Sequence, residues 1–373
     1  MKQRIAILGT FPAWVIDSSI IPTGGHYAVW LVSLYHILEN VADVYEIHWI
    51  TTSRQISRTK HLESKGQYFH ILPGSSIKLG QMTHYLRERF LIARLLRQIR
   101  PTLVHAWGTE FFYALAGKDF KGKKLLSMQG VLSAYCERAP MPPFMIKQSK
   151  FEKACLKAYK HISTESVWAA ERCRELAPTA TIHLWDYAAN EQFFHTPHIP
   201  ANTPVCLAAG TDTPIKNLQC AIAAFSRPEL AHIQLYLAGA EPQHHTNLPP
   251  NIIPLGRVGR EKMQELLSSA WALVHPSLAD SCPNIVKEAR VVGVPCVVTE
   301  DCGAKQYVVH GKSGYVIPAH DSEALAQAVL EITRSRENAL TMGAYDQTRC
   351  REALSANTMS RELLRLYSAI LAE

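Results

Sequence analysis

HPSLADSCPNIVKEARVVGVPCVVTEDCGA, residues 275–304, is the stretch from which the rest of the chain is read. An apolar run closes at Ser277. A polar turn follows, Asp280-Ser281-Cys282-Pro283, and a helix is predicted from about Asn284 to residue 292. PCVVTE then reads as a second buried strand. Strand, turn, helix and strand in this order form one unit of a parallel sheet. Pro283 suits the start of a helix, where its missing N–H would be unpaired anyway. The first-turn amides of Asn284, Ile285 and Val286 should then be free, with the positive end of the helix dipole behind them, which makes an anion site. Glu288 lies one turn further in and can reach a sugar hydroxyl. Asp280, before the turn, can accept from another. Hydroxyls at both ends and phosphate in the middle is the layout of a nucleotide sugar.

The same alternation extends in both directions. RIAILGT (4–10), EIHWITT, YFHILPG, TLVHAWG and KKLLSMQG read as strands, with helices predicted over about 27–39 and 82–100. After a loop rich in Asn, Pro and His (about 189–203) comes a second series: VCLAAG, IQLYLAG, NIIPLG, WALVHPS and PCVVTE. Helices near 217–226, 260–269, 284–292 and 322–333 separate these strands, and about 336–371 is helical. Strands with little internal alternation between helices indicate α/β architecture, a parallel sheet covered on both faces. Two Rossmann-like doubly wound domains are expected to face each other across a cleft: residues 1–195, residues 196–350, and a C-terminal helix (351–373) returning to the first domain. Ligands of such sheets bind at the carboxyl ends of the strands.

Composition narrows the function. The 373 residues are 47% hydrophobic and 19% charged, which excludes a disordered chain. Nine cysteines without C-x2-C spacing suggest reduced thiols in the cytosol. The uncharged stretch Ser18–Leu38 contains Pro22, Gly24, Gly25, His26 and His36, so it reads as a loop and a buried helix rather than a membrane span. Residues 1–195 hold 24 Lys+Arg against 15 Asp+Glu, a surplus of +9, whereas the remainder sums to −2. Within the first half, the helix predicted over 82–100 carries five arginines, with Leu86, Phe90, Ala93 and Leu96 as its apolar stripe. It reads as a sheet-covering helix or as a dock on an anionic membrane surface. Nucleic-acid binding has no motif behind it, and no G-x-G-x-x-G follows the first strand, which argues against a dehydrogenase.

The stretch 280–289, D-S-C-P-N-I-V-K-E-A, followed by G-V-P-C-V-V-T-E-D-C-G, resembles the Glu-x7-Glu region of retaining GT-B glycosyltransferases, in particular glycosyltransferase family 4. GKSGYVIPAHDSEALAQAV (311–329) resembles the segment that follows it in that family. In the first domain the likeness is weaker, resting on Pro22-x-Gly24-Gly25, VHAWG and SMQG. The resemblance implies a GT-B fold and assigns roles by position. Glu288 would bind the donor ribose, and Asp280 the donor-sugar hydroxyls. The backbone of Ser281, Cys282, Pro283, Asn284 and Ile285 would meet the sugar and diphosphate. Lys216, after Gly210 and Thr211, would neutralise the leaving diphosphate, so Lys216, Asp280 and Glu288 form the expected catalytic set. Gly24 and Gly25 would let the backbone approach the donor, with His105 and Gln129 as further substrate contacts. The departing phosphate oxygen would act as base toward the acceptor.

Three positions depart from the family pattern: Asp280 replaces Glu, Thr211 an Arg, and Gln129 a His. There is no Asp-x-Asp, and no metal or other cofactor is expected, since Lys216 and the helix N-terminus can carry the charge. The expected function is transfer of a hexose from a UDP- or GDP-sugar to a glycan or lipid-linked acceptor in surface polysaccharide or lipopolysaccharide biosynthesis. The expected location is the cytoplasm, peripheral at the inner face of the membrane, with no nucleic-acid partner. Two other readings are an epimerase of sugar nucleotides on the same fold and a non-catalytic nucleotide-sugar-binding subunit.

Overall fold

Runs such as RIAIL and LVHAW have no polar face, so the chain has to bury them on both sides. It does so in two sheets. The computed structural model describes residues 2–20, 28–39, 41 and 43–373. The first sheet contains β1 (Gln3–Leu8), β2 (Tyr45–Ser53), β3 (Lys60–Ser64), β4 (Gln67–Pro73), β5 (Leu103–Trp107), β6 (Lys123–Met128), β7 (His161–Thr164) and β8 (Thr181–Leu184). Their spatial order is β3-β4-β2-β1-β5-β6-β7-β8, and all neighbours are parallel except β3 with β4. The second sheet contains β9 (Val205–Ala209), β10 (Gln234–Ala238), β11 (Ile252–Gly256), β12 (Ala272–His275), β13 (Cys296–Thr299) and β14 (Gly314–Ile317). Its order is β11-β10-β9-β12-β13-β14, parallel throughout.

Both orders reverse at one point, between β1 and β5 in the first sheet and between β9 and β12 in the second. Loops leaving such a pair at their carboxyl ends diverge to opposite faces and open a crevice. The first crevice is bounded by the loop after β5, the second by the loops after β9 and β12. The helix Ala356–Ala372 lies on the first sheet: Met359, Leu363, Tyr367 and Ile370 share a core cluster with Leu34 and Trp49. Trp185 Nε1 donates to Met359 O at 3.1 Å.

The predicted helix over 82–100 is two helices, Ile77–Met82 and Leu86–Ile99. His84 and Tyr85, at φ 52° and 53°, turn the chain between them. The buried stripe shares only Leu96 with the predicted one. Ile92, Leu95, Leu96 and Ile99 face the sheet, while Leu86 and Phe90 are each 61% exposed. The turn before Leu86 rotates the helix, and the buried Glu88 carboxylate is held inward by accepting from the Ser75 amide at 2.8 Å.

The two halves are locked by charge. Lys287, fully buried on the helix Asn284–Val292, places its ammonium 2.6 Å from Glu165 and 2.8 Å from Asp186, and donates to Tyr187 O at 3.0 Å. Burial alone would push the ammonium toward neutrality; Asp186 and Glu165 outweigh it and hold its pKa well above the ordinary value. Removing one partner strands the rest in a low-dielectric site. Lys287→Met is therefore expected to lower unfolding stability by about 3–5 kcal/mol in urea titration; an unchanged midpoint would show that the network contributes nothing net.

Candidate functional site

The loops after β9 and β12 are stitched together. Leu278 N donates to Ile215 O at 2.9 Å and Asn217 Nδ2 to Pro276 O at 3.0 Å. The Lys216 ammonium bonds Asp280 Oδ2 at 2.5 Å. Gly210 permits this: a Cβ there would sit 3.2 Å from Lys216 Cβ and 3.3 Å from its Cγ, so the lysine stem lies across bare backbone. Behind Asp280, His275 Nε2 is 3.0 Å from the same oxygen and 2.9 Å from Ser277 Oγ. Burial would raise the Asp280 carboxyl, but Lys216 and His275 hold it well below the usual carboxylate range. Its other oxygen, Oδ1, has no hydrogen-bond partner among the described residues. The carboxylate is thus fixed in its ionised form, with one oxygen on the lysine and one available to a ligand.

The helix Asn284–Val292 starts at Pro283 and stops at Gly293, whose φ of 100° ends it. Asn284 and Ile285 are half-buried at its first turn. The amide of Val286, expected to be free, instead donates to Pro283 O at 3.1 Å, because the first turn is tightened. Glu288 is half-buried one turn in, and among the described residues its carboxylate has neither a hydrogen bond nor an ion pair. Burial lifts it to about 7, against the pull of Lys287 and Arg260.

Other predicted positions are placed differently. The Ser281 amide is already taken: it donates to Tyr135 Oη at 2.9 Å, and Tyr135 donates to Ser281 Oγ at 3.0 Å. Ser281 O accepts from Ser166 Oγ at 2.6 Å. Ser281 therefore joins the two halves rather than offering its N–H to a ligand. Cys282 is buried, its thiol pushed well up by burial, and Pro283 beside it has no amide to give. Thr211 is exposed and pairs with Thr213 Oγ1 at 3.1 Å. Beside this loop lies an open cavity of about 600 Å³ lined by Asp212, Asn217, His244 and His245. His105 is a correction. It is fully buried, with Nδ1 2.7 Å from Tyr367 Oη and Nε2 2.6 Å from Ser127 Oγ. Burial alone pushes it down to about 3, so it is a neutral core residue joining β5 to the C-terminal helix. Gln129 is half-buried after β6, at the rim facing Gly108. Gly24 and Gly25 lie outside the described residues.

Sequence reasoning missed Tyr135 and Lys287, which show only as an aromatic and a helix charge. Among the described residues, one group has the ligand types and spacing for a metal, Glu165, Asp186 and Cys282, and the Lys287 ammonium already bonds its two carboxylates.

With this geometry in place, the comparisons are direct. Residues 203–335 match the family described as glycosyl transferases group 1. That match falls within the second domain. Curated relatives align mainly in part. N-acetyl-alpha-D-glucosaminyl L-malate synthase of Bacillus anthracis is 24% identical over 165 residues, 42% of each chain. The colanic acid biosynthesis glycosyltransferase WcaL of Salmonella typhimurium, a putative assignment in its own name, is 28% identical over 116 residues, 30% of this chain and 28% of its own. The chain thus spans under half the length of these relatives. The fold is similar over the whole chain. Sucrose-phosphate synthase of Thermosynechococcus elongatus superposes with a TM-score of 0.81 at 18% identity, covering 100% of both chains. Anabaena HepE, in complex with UDP and glucose, gives 0.71 at 15% identity over 98% of this chain and 100% of its own. The expected two-domain GT-B architecture is the observed one.

In the second domain, the position of Glu288 gives a test. Its folded-state pKa of about 7 lies above the unfolded 4.5, so stability is lost as pH rises through that window. Glu288→Gln is expected to melt above wild type at pH 8, by on the order of 1–2 kcal/mol, with the gap closing near pH 4. A lower melting point at pH 8 would contradict the placement.

Proposed function

We propose that the protein is a retaining, metal-independent glycosyltransferase. It moves a hexose from a UDP- or GDP-sugar to a glycan or lipid-linked glycan in surface polysaccharide or lipopolysaccharide biosynthesis. The observation that carries this reading is the convergence of Lys216, Asp280, the first turn at Asn284 and Glu288 at the carboxyl ends of β9 and β12. The diphosphate lies between the Lys216 ammonium and the amides of Asn284 and Ile285. Asp280 Oδ1 accepts from a donor-sugar hydroxyl and Glu288 from the ribose. As the sugar–phosphate bond breaks, charge grows on the diphosphate, and a fixed cation beside a helix N-terminus stabilises that charge more than the ground state. The neighbour bound to UDP and the colanic acid relative support the donor and acceptor classes.

Melting shifts across UDP-, GDP- and ADP-sugars test the donor; no shift with any of them would refute the reading. Lys216→Ala is expected to cut turnover by about 10²–10³-fold. It also leaves Asp280 without its cation, so melting should fall. Adding Asp280→Asn should restore melting but not turnover. Full activity in Lys216→Ala would remove the lysine from the mechanism.

An anionic membrane surface is the proposed docking partner of the first domain. No helix among the described residues is long and apolar enough to cross a membrane. Instead Leu79, Met82, Leu86, Phe90, Phe144 and Ile146 stand exposed on three packed helices, Ile77–Met82, Leu86–Ile99 and Pro143–Leu156. Lys78, Arg87, Lys147 and Lys150 are exposed on the same three helices. Exposed apolar side chains and cations on the same helices match a headgroup layer of negative lipids. Co-sedimentation with phosphatidylglycerol vesicles should exceed that with phosphatidylcholine, and Met82→Glu/Phe90→Glu should abolish it; equal binding to both would refute the dock.

A further inference from the structure

In the second sheet β9 lies between β10 and β12. On the β12 side its loop carries the Lys216–Asp280 pair. On the other side the same loop meets the loop after β10. Gly239, at φ 96°, permits the approach, since a Cβ there would come 2.6 Å from Gly210 O. The Asp212 carboxylate then closes the junction. Its Oδ2 accepts from the Glu241 amide at 3.1 Å and lies 2.9 Å from His244 Nδ1, and its Oδ1 lies 2.8 Å from His245 Nε2. Asp212, His244 and His245 line the open cavity of about 600 Å³, a volume within the range of small-ligand sites.

The hydrogen bonds fix what these side chains offer to a ligand. Burial would raise the Asp212 carboxyl, but His245, His244 and the Glu241 amide hold it below the ordinary value. An ionised carboxylate only accepts, so both imidazoles donate to it, His244 through Nδ1 and His245 through Nε2. In a neutral ring the other nitrogen then carries a bare lone pair. His244 Nε2 and His245 Nδ1 have no hydrogen-bond partner among the described residues. The His245 side chain is only 8% exposed, so packing as well as Asp212 sets its orientation. Asn217 adds a third acceptor at the same cavity: its Nδ2 is taken by Pro276 O, and its Oδ1 has no partner among the described residues.

Three acceptors without donors call for a ligand rich in donors. No Lys or Arg lines the cavity, so an anion would meet lone pairs and a carboxylate. Nor do Asp212, His244 and His245 bring three ligand atoms together as a metal requires; among the described residues Glu165, Asp186 and Cys282 do. We propose that this cavity is a saccharide-binding site separate from the donor crevice, where sugar hydroxyls donate to His244 Nε2, His245 Nδ1 and Asn217 Oδ1. On the glycosyl-transfer reading above, the sugar held is a unit of the acceptor glycan remote from the reacting hydroxyl. The turn Pro214–Lys216 is common to both sites: it carries Lys216 toward Asp280 and borders the cavity with Pro214.

The test is saturation-transfer NMR on the full chain without nucleotide, using the methyl glycosides of glucose, galactose, mannose and rhamnose and free N-acetylglucosamine. At least one should bind, with a dissociation constant of about 1–10 mM. His244→Ala, at an exposed side chain, and Gln219→Ala, on the same lining, should each weaken it about 3–10-fold while melting like wild type. Lys216→Ala/Asp280→Asn, altered in the donor crevice, should bind within twofold of wild type. No signal from any sugar would overturn the proposal. So would wild-type binding in both His244→Ala and Gln219→Ala, or binding lost only in Lys216→Ala/Asp280→Asn, which would put the sugar in the donor crevice. Zinc chloride that raises melting of wild type but not of His244→Ala, with no sugar signal, would make the cavity a metal site and overturn it as well. Sugar binding lost in His244→Ala, in a protein that never turns over a nucleotide sugar, would support the cavity and sink the glycosyl-transfer reading.

Discussion

The bond between Lys216 and Asp280 is the constraint on which the site depends. One group lies on the loop after β9 and the other on the loop after β12, 64 positions away. Apolar side chains bring the loops near one another, Ile215 of one and Leu278 of the other belonging to the same core cluster. Their backbones are joined by Leu278–Ile215 and Asn217–Pro276, and the ion pair completes the seam. An ammonium and a carboxylate in a half-enclosed crevice would each lose hydration at a cost; together they offset it. His275 bonds the same Asp280 oxygen as the lysine and is itself bonded by Ser277, so the pair is oriented as well as neutralised. A negative ligand then finds a lysine already aimed and needs little reorganisation to use it.

A second set of charges fixes how the halves meet. Lys287 occupies the helix position immediately before Glu288, so the residue that bonds back into the first domain and the half-buried Glu288 share a turn. Glu165 follows β7 and Asp186 follows β8, and both grip the same ammonium. Tyr135 to Ser281, and Arg138 and Trp168 to Asp301 at 3.0 Å, extend the contact along the same edge. Moving the first domain would therefore move the loops after β7 and β8 relative to the helix Asn284–Val292.

Much of the fold was legible in the sequence because parallel strands buried on both faces leave continuous apolar runs. RIAIL, LVHAW, VCLAA and ALVH are such runs. HIST and TIHL escaped notice for the opposite reason. β7 is buried yet polar, and it is tolerated only because His161 meets His183 and Ser163 meets Ser127 on neighbouring strands. β8 lies at the sheet edge, where burial asks little of it. The antiparallel β3 alternates between half-buried and exposed residues and has no apolar signal at all. Spacing located the Asn284 helix and its proline start, because those depend on backbone chemistry local to a few residues.

The sequence alone determined the βαβ order, the two-domain division and the stretch bearing Asp280, Asn284 and Glu288, since periodicity and turn chemistry act over short distances. Only the tertiary structure decided which polar groups are spent and which are free. His105 read as a possible ligand contact and is consumed by Ser127 and Tyr367. The Ser281 amide read as free and is held by Tyr135. Leu86 and Phe90 read as core and stand in solvent. Each of these depends on partners tens to hundreds of residues away, and a hydrogen bond or a burial across that distance leaves no trace in local pattern.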